Sequence, residues 1–230
     1  MKENFVTAAL PQGAPVDAAL LQNEAMFKYS YGLFVLTARE GEKDNGCIIN
    51  TSMQVTADPQ RILIAVNKAN FTHDMILRTG VFNVSIITEK APFALFRRFG
   101  FQSGREVDKF EGFEGCARST NGLLHLTGEV SNAVISGQVV AAVDCGSHTL
   151  FIAQVTEART QNDLPSATYA YYFAHIKPKP QSQAPAPENK QLHHWVCRIC
   201  GYVYEGETLP ADFICPLCKH GAEDFEKLPD

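Results

Sequence analysis

The chain has 230 residues, 45% hydrophobic and 20% charged, with a net charge of −5 and a pI near 5.8. That balance suits one large folded domain or two unequal ones, and it lacks the basic face that nucleic-acid binding needs. No run approaches the ~18 apolar residues of a membrane helix. The N-terminal stretch has Glu3, Asp17 and a break at Pro11 and Gly13 instead of a basic segment and an apolar core, so no signal peptide and a cytoplasmic location are expected.

In chain order, a helix is expected over 16–27. A strand follows over 33–37, where Leu33, Phe34, Val35, Leu36 and Thr37 are apolar or β-branched. Asn45, Gly46, Cys47, Ile48, Ile49, Asn50, Thr51 and Ser52 lie between this strand and the next. They either make a polar hairpin turn or offer backbone groups to a planar heterocycle. The strand expected over 62–66 ends in Asn67 and Lys68, and Asn70, Phe71, Thr72 and His73 open a helix expected over 72–79 and closed by Gly80. Asn70 or Thr72 can cap it. The free amides, Lys68 and the Thr72 hydroxyl make a phosphate cradle, or else the segment is a plain capped surface helix.

A strand is expected over 81–87 and a helix over 92–98. Next comes the polar stretch Ser103, Gly104, Arg105, Glu106, Val107, Asp108, Lys109 and Phe110. Residues 122–143 read as two or three strands broken at Gly128 and Gly137. Cys145, Gly146, Ser147, His148 and Thr149 lead into a strand over 150–155. Many strands with few helices predict a mainly β fold, a barrel with every alternate side chain inside. The 16 glycines include no Gly-x-Gly pair and there is no P-loop, so the dinucleotide fingerprint is absent. Cys47, Cys116 and Cys145 are expected to pack as small buried hydrophobes.

Domains are expected at 1–176 and 193–230, joined by a Pro-rich linker at 177–192. From Lys177 to Pro187 there are four prolines and no large apolar side chain. About 15 such residues reach roughly 45 Å at ~3.1 Å each. Beyond the linker, Cys197 and Cys200 form one Cys-x-x-Cys pair and Cys215 and Cys218 another. Two such knuckles give a tetrahedral four-sulfur set, and the spacing suits either zinc or iron. Trp195, Tyr202, Tyr204, Phe213 and Phe225 are expected around it. His193 and His194 lie either beside the site or in solvent. From Lys190 to Asp230, seven acids face four bases, a surface that would be steered to a basic partner.

Cys-Gly-Tyr-x-Tyr followed by Cys-Pro-x-Cys resembles rubredoxin, which implies one iron on Cys197, Cys200, Cys215 and Cys218. Only 14 residues separate Cys200 from Cys215, a shorter loop than is typical of that family. Residues 22–176 resemble the flavin reductase-like, FMN-binding split barrels that include flavoredoxin. The resemblance implies that Asn45, Gly46, Asn50 and Thr51 lie along the isoalloxazine. It also places Asn67, Lys68, Thr72 and His73 at the phosphate, and Ser103, Arg105 and Lys109 over the cofactor. His148 becomes the candidate catalytic residue, orienting a nicotinamide; the bland alternative is a hydrogen-bonded histidine at the core edge. Ser147 stands where the family often has Asp. Arg105 or Lys109 either stabilises reduced flavin or is ordinary surface charge.

The pairing of the two families implies a homodimeric NAD(P)H-driven carrier. It would supply electrons through FMN and iron to a flavodiiron protein that reduces nitric oxide or dioxygen. The competing readings are a reductase that releases flavin to a monooxygenase and a zinc-stapled flavin-binding module.

Overall fold

A computed structural model describes residues 5–10, 13, 21, 23–26, 28–178, 193–197, 202–215 and 221–228. The chain divides into two compact units, Met1–Lys177 and Pro178–Asp230. Beyond Pro178, the expected linker lies outside the described residues. Of the helix expected over 16–27, Asn23–Met26 (α1) is described and helical. No helix among the described residues is long and apolar enough to cross a membrane.

The mainly β architecture expected from the sequence is what the first unit has. Its strands are β1 (Val6–Ala9), β2 (Phe34–Glu40), β3 (Lys43–Ile49), β4 (Ser52–Ala57), β5 (Gln60–Asn67), β6 (Val81–Ile87), β7 (Cys116–Arg118), β8 (Leu124–Leu126), β9 (Ser131–Asp144) and β10 (His148–Thr160). Helices α2 (Phe71–Thr79) and α3 (Phe93–Gly100) follow β5 and β6. The main sheet runs β3-β2-β6-β9-β10-β5-β4, all antiparallel, and β1 adds to β9 in parallel.

Strand β2 reads as an unbroken apolar run because both its faces are covered. Phe34 and Leu36 join one buried cluster with Ile64, Phe82, Phe151 and Met75 of α2. Val35, with Leu33 just before it, joins a second cluster with Ile87, Leu126 and Phe96 and Phe99 of α3. Each fully buried side chain of this size stabilises the fold by roughly 1.5–3 kcal/mol.

Two local expectations change. Gly137 does not break a strand; β9 runs through it without interruption. It lies opposite Phe82 on β6, and a Cβ there would sit 2.6 Å from the ring. Its hydrogen side chain leaves room for a buried aromatic across the sheet. Asn45 and Gly46 are not in a turn either. They belong to β3, paired with Ala38 and Thr37 of β2. Burial of Asn45 and the packing of Gly46 on Leu36 and Phe99 override the turn preference of the dipeptide.

The second unit has β11 (His193–Cys197), β12 (Val203–Gly206) and β13 (Phe225–Lys227) in the order β12-β11-β13. Its aromatic side chains pack around buried Cys197, Cys215 and Phe225.

Candidate functional site

The sheet brings several of the sequence candidates to one corner. Asn67 ends β5 directly opposite His148, which begins β10. The Thr51 carbonyl, just before β4, accepts from the amide of Ala65 on β5. Asn50, Thr51, Asn67, Lys68 and His148 therefore share one end of the sheet. Asn50 Oδ1 accepts from the Thr51 hydroxyl at 3.2 Å. The Lys68 amide donates to the Ser147 carbonyl, and its ammonium pairs with Asp144 at 2.7 Å. That pairing, then the amide of Gly146, holds the Asp144 carboxyl below its ordinary value. The Ser147 hydroxyl lies 2.9 Å from His148 Nδ1.

Helix α2 starts at this corner. Asn70 is its N-cap without a side-chain bond, and Gly80 ends it with positive φ. Thr72 does not cap. It is buried, and its hydroxyl accepts from Asn45 Nδ2 at 2.9 Å, tying α2 to β3. The amides of Ala69, Asn70 and His73 are bonded locally, to Asn67 Oδ1, the Asn67 carbonyl and the Asn70 carbonyl. His73 is buried, with Nδ1 3.1 Å from Asp74 and Nε2 2.8 Å from the Thr149 hydroxyl. A neutral ring satisfies both by donating to the carboxylate and accepting from the hydroxyl.

The 103–109 segment is fastened over this corner at three points. Gly104 packs so closely on the Asn45 amide that a Cβ would lie 2.0 Å from Oδ1. Arg105 pairs with Asp74 at 2.6 Å and stands 4.9 Å over the Phe71 ring, with Lys43 at 5.0 Å from the same ring. Burial pushes the Asp74 carboxyl up, but hydrogen bonds from Arg105 and His73 hold it below its ordinary value. Lys109 is buried and donates to the carbonyls of Gly46 at 2.9 Å and Phe99 at 3.1 Å. Its ammonium thus braces the main chain of β3 and α3. Ser103 Oγ accepts from the Arg105 amide at 3.2 Å, shaping the segment from within.

Sequence reasoning missed Asp74, Asp144, Phe71 and Thr149. Acids in loops and first helical turns usually face solvent, and nothing local marked these two as partners of Arg105 and Lys68. The scattered cysteines also divide. Cys47 is buried, and burial raises its thiol pKa, opposed by the Thr72 hydroxyl and by Lys109. Cys116 is half-buried, with Sγ 3.3 Å from the Phe113 carbonyl. Cys145 is exposed, against expectation, because it lies in the turn between β9 and β10.

The corner suits a flat cofactor with an anionic tail. Asn50, Thr51 and Asn67 lie at this end of the sheet, with Lys68 paired to Asp144 and Arg105 to Asp74 in the first turn of α2. In the second unit, Cys197 and Cys215 are 1% and 0% exposed within one aromatic cluster, a donor set suited to a thiolate-bound ion. Cys200 and Cys218 lie outside the described residues. The Cys197 amide donates to the Tyr202 carbonyl at 2.7 Å. The Trp195 indole N–H is buried without a hydrogen-bond partner among the described residues. His194 lies 3.5 Å from Glu205, both exposed.

Comparison with known proteins gives matches to both units. Residues 26–179 match the flavin reductase like domain, and residues 195–226 the rubrerythrin, rubredoxin-like domain. The chain is 32% identical to the high molecular weight rubredoxin of Moorella thermoacetica, over 90% of this chain and 100% of that one. It is 36% identical to a ferric-chelate reductase (NAD(P)H) of Archaeoglobus fulgidus, over 68% of this chain and 91% of the other. Among solved structures, an FMN-binding protein of Thermus thermophilus shares the fold. It superposes with a TM-score of 0.55 at 23% identity, over 77% of this chain and 98% of that one.

Proposed function

Because the chain belongs to the flavin reductase-like family and carries a rubredoxin-like domain, making it an oxidoreductase of the flavin and rubredoxin electron-transfer type, we propose the following route. The protein takes electrons from NADH or NADPH with FMN as its flavin. It passes them to one iron on Cys197, Cys200, Cys215 and Cys218, and delivers them to a flavodiiron protein that reduces nitric oxide or dioxygen. It works as a cytoplasmic homodimer. The observation that carries this reading is the match to the Moorella protein, which spans both units.

Flavin, when bound, supplies the conversion between a two-electron hydride donor and a one-electron thiolate-bound iron. The residues of the corner do the rest. Lys68 and the first turn of α2 receive the phosphate. Asn50, Thr51 and the β3 main chain at Asn45 and Gly46 line the ring, and Lys109 fixes the Gly46 carbonyl from behind. His73 and Thr72 hold α2 in register with β10 and β3. Arg105, anchored by Asp74, covers the corner and screens it from water. His148, with its ring beside Ser147, orients the nicotinamide. The acidic second unit is steered toward a basic partner.

Anaerobic stopped-flow mixing of the purified protein with NADH tests the reading. Flavin absorbance should bleach first and the thiolate-iron bands second, within one turnover. Cys215→Ser should abolish the second phase and keep the first. A colourless, stoichiometrically zinc-loaded native protein would sink it. So would reduced flavin that dissociates before any iron is reduced, which fits a supplier of flavin to a monooxygenase.

A further inference from the structure

A buried polar cluster lies on a part of the first unit that the candidate site does not use. The β7–β8 hairpin folds over β6, and Asn83 of β6, fully buried, binds it by four bonds, one of them accepted by its Oδ1 from Asn121 Nδ2 at 2.8 Å. Asn83 Nδ2 reaches Ser119 Oγ at 3.0 Å and the carbonyls of Leu123 and Leu124 at 3.2 and 3.3 Å. Inside the hairpin is His125, 2% exposed and opposite Ala117. Its Nδ1 is 3.1 Å from Ser119 Oγ, and its Nε2 is 3.0 Å from Arg159 of β10.

The guanidinium decides the state of this ring. Arginine has donors only, so Nε2 must offer its lone pair. His125 is therefore neutral, with its proton on Nδ1 and directed at Ser119. Ser119 Oγ accepts from both Asn83 and His125, so this serine–histidine pair has the wrong polarity to activate a nucleophile. A second proton on Nε2 would set two N–H donors and two positive charges against each other at 3.0 Å.

We infer that His125, Ser119 and Arg159 form an acid-sensitive catch that fastens the 116–126 hairpin to the sheet and releases it when His125 gains a proton. The other charged or titratable groups around it do not remove the conflict. Glu157 of β10 lies 3.9 Å from Arg159 and accepts from the Thr120 amide and hydroxyl with its other oxygen. Arg118 of β7 and Arg39 of β2 both pair with Asp44 of β3, at 2.8 and 2.9 Å. Cys116 of β7 is half-buried, and burial raises its thiol pKa. β6 and β9 contribute Asn83 and Ser136, which do not titrate here. Ser136, directly opposite Asn83, has a buried hydroxyl without a partner among the described residues, and no hydrogen bond joins it to His125. Burial, then Arg159, pushes the His125 pKa below its ordinary 6.5, opposed by Glu157. With its folded pKa depressed, the catch is fully closed above 6.5 and is lost as pH falls from there through the folded value.

Two measurements on the full-length protein test this. Nitrogen-15 NMR with the His125 ring assigned should find it as the Nδ1–H tautomer at neutral pH, titrating below 6.5 and moving upward in Arg159→Met. Hydrogen exchange, corrected for intrinsic rate, should show hairpin protection falling by up to about tenfold per pH unit from 6.5 down to the His125 transition and levelling off below it, while β6 stays protected. His125→Gln, whose carboxamide can accept from Arg159 and donate to Ser119 without titrating, should flatten that dependence. An Nε2–H tautomer, a titration at or above the ordinary value, or hairpin exchange that follows β6 would each overturn the catch. The NMR result stands on the wild-type protein if the variants fail to fold.

Discussion

The two units are held together by different means. The first has a broad antiparallel sheet, two buried apolar clusters and a polar corner whose side chains are tied across β3, α2 and β10. The second has three short strands, and its buried apolar set among the described residues is Val196, Cys197, Cys215 and Phe225. Two of those four are thiols. The described part of that core is small for an independent fold, and an ion held by the thiols would offset the chain entropy. The first unit therefore needs its ligand for chemistry, and the second needs its ligand for structure as well as for chemistry.

The sharpest way to break this contrast is Cys215→Ser, or removal of the metal with a chelator. Both should abolish hydrogen-exchange protection across 193–228 while leaving protection of the first unit unchanged. Next in size is Phe82→Ala, which should cost about 3–5 kcal/mol in urea unfolding of the first unit and spare the second. Gly137→Val should also be destabilising, by about 1–3 kcal/mol, through the same contact, and pairing it with Phe82→Ala should recover part of the loss.

Thr72→Val is a smaller cut at the corner. It leaves a buried Asn45 donor unpaired and should cost about 1–3 kcal/mol, with weaker flavin retention measured by ultrafiltration. Asp74 sharpens the pH side of the comparison. Its folded pKa is lowered, so its contribution is present above 3.8 and disappears as pH falls from there through the folded value. Asp74→Asn should flatten that part of the acid unfolding curve. Smallest of all is Arg78→Ala. The Arg78–Glu40 pair is geometrically good at 2.6 Å, but its side chains are 33% and 39% exposed, and it should contribute no more than about 1 kcal/mol in a thermal melt.

How much of this was legible depended on how local the cause was. Residues 81–87 read as a strand because alternate positions are apolar or β-branched, and they are β6. Gly80 read as a helix end because it follows the last apolar turn, and it is one. The aromatic set around Cys197 and Cys215 was visible because the motif keeps it close in sequence. What escaped was set by partners far away. Thr72 looked like a cap, but its partner Asn45 is 27 residues upstream. Gly137 looked like a strand break, and the reason it is glycine is a ring on a different strand. Lys109 read as a charge near a cofactor, and its ammonium reaches two carbonyls inside the protein.

Strand β1 has a further consequence. All four of its side chains are exposed, and it joins β9 in parallel by main-chain pairing, with Ala9 set against Asp144. Within the strand no side chain is buried, and Phe5 just before it is its apolar anchor on the first cluster, so it should peel away at less than the global unfolding free energy. A protease would nick this margin long before it reached the barrel. Asp144 belongs to both β9 and the Lys68 pair, so trimming β1 would slacken the clamp on Lys68 from the far side.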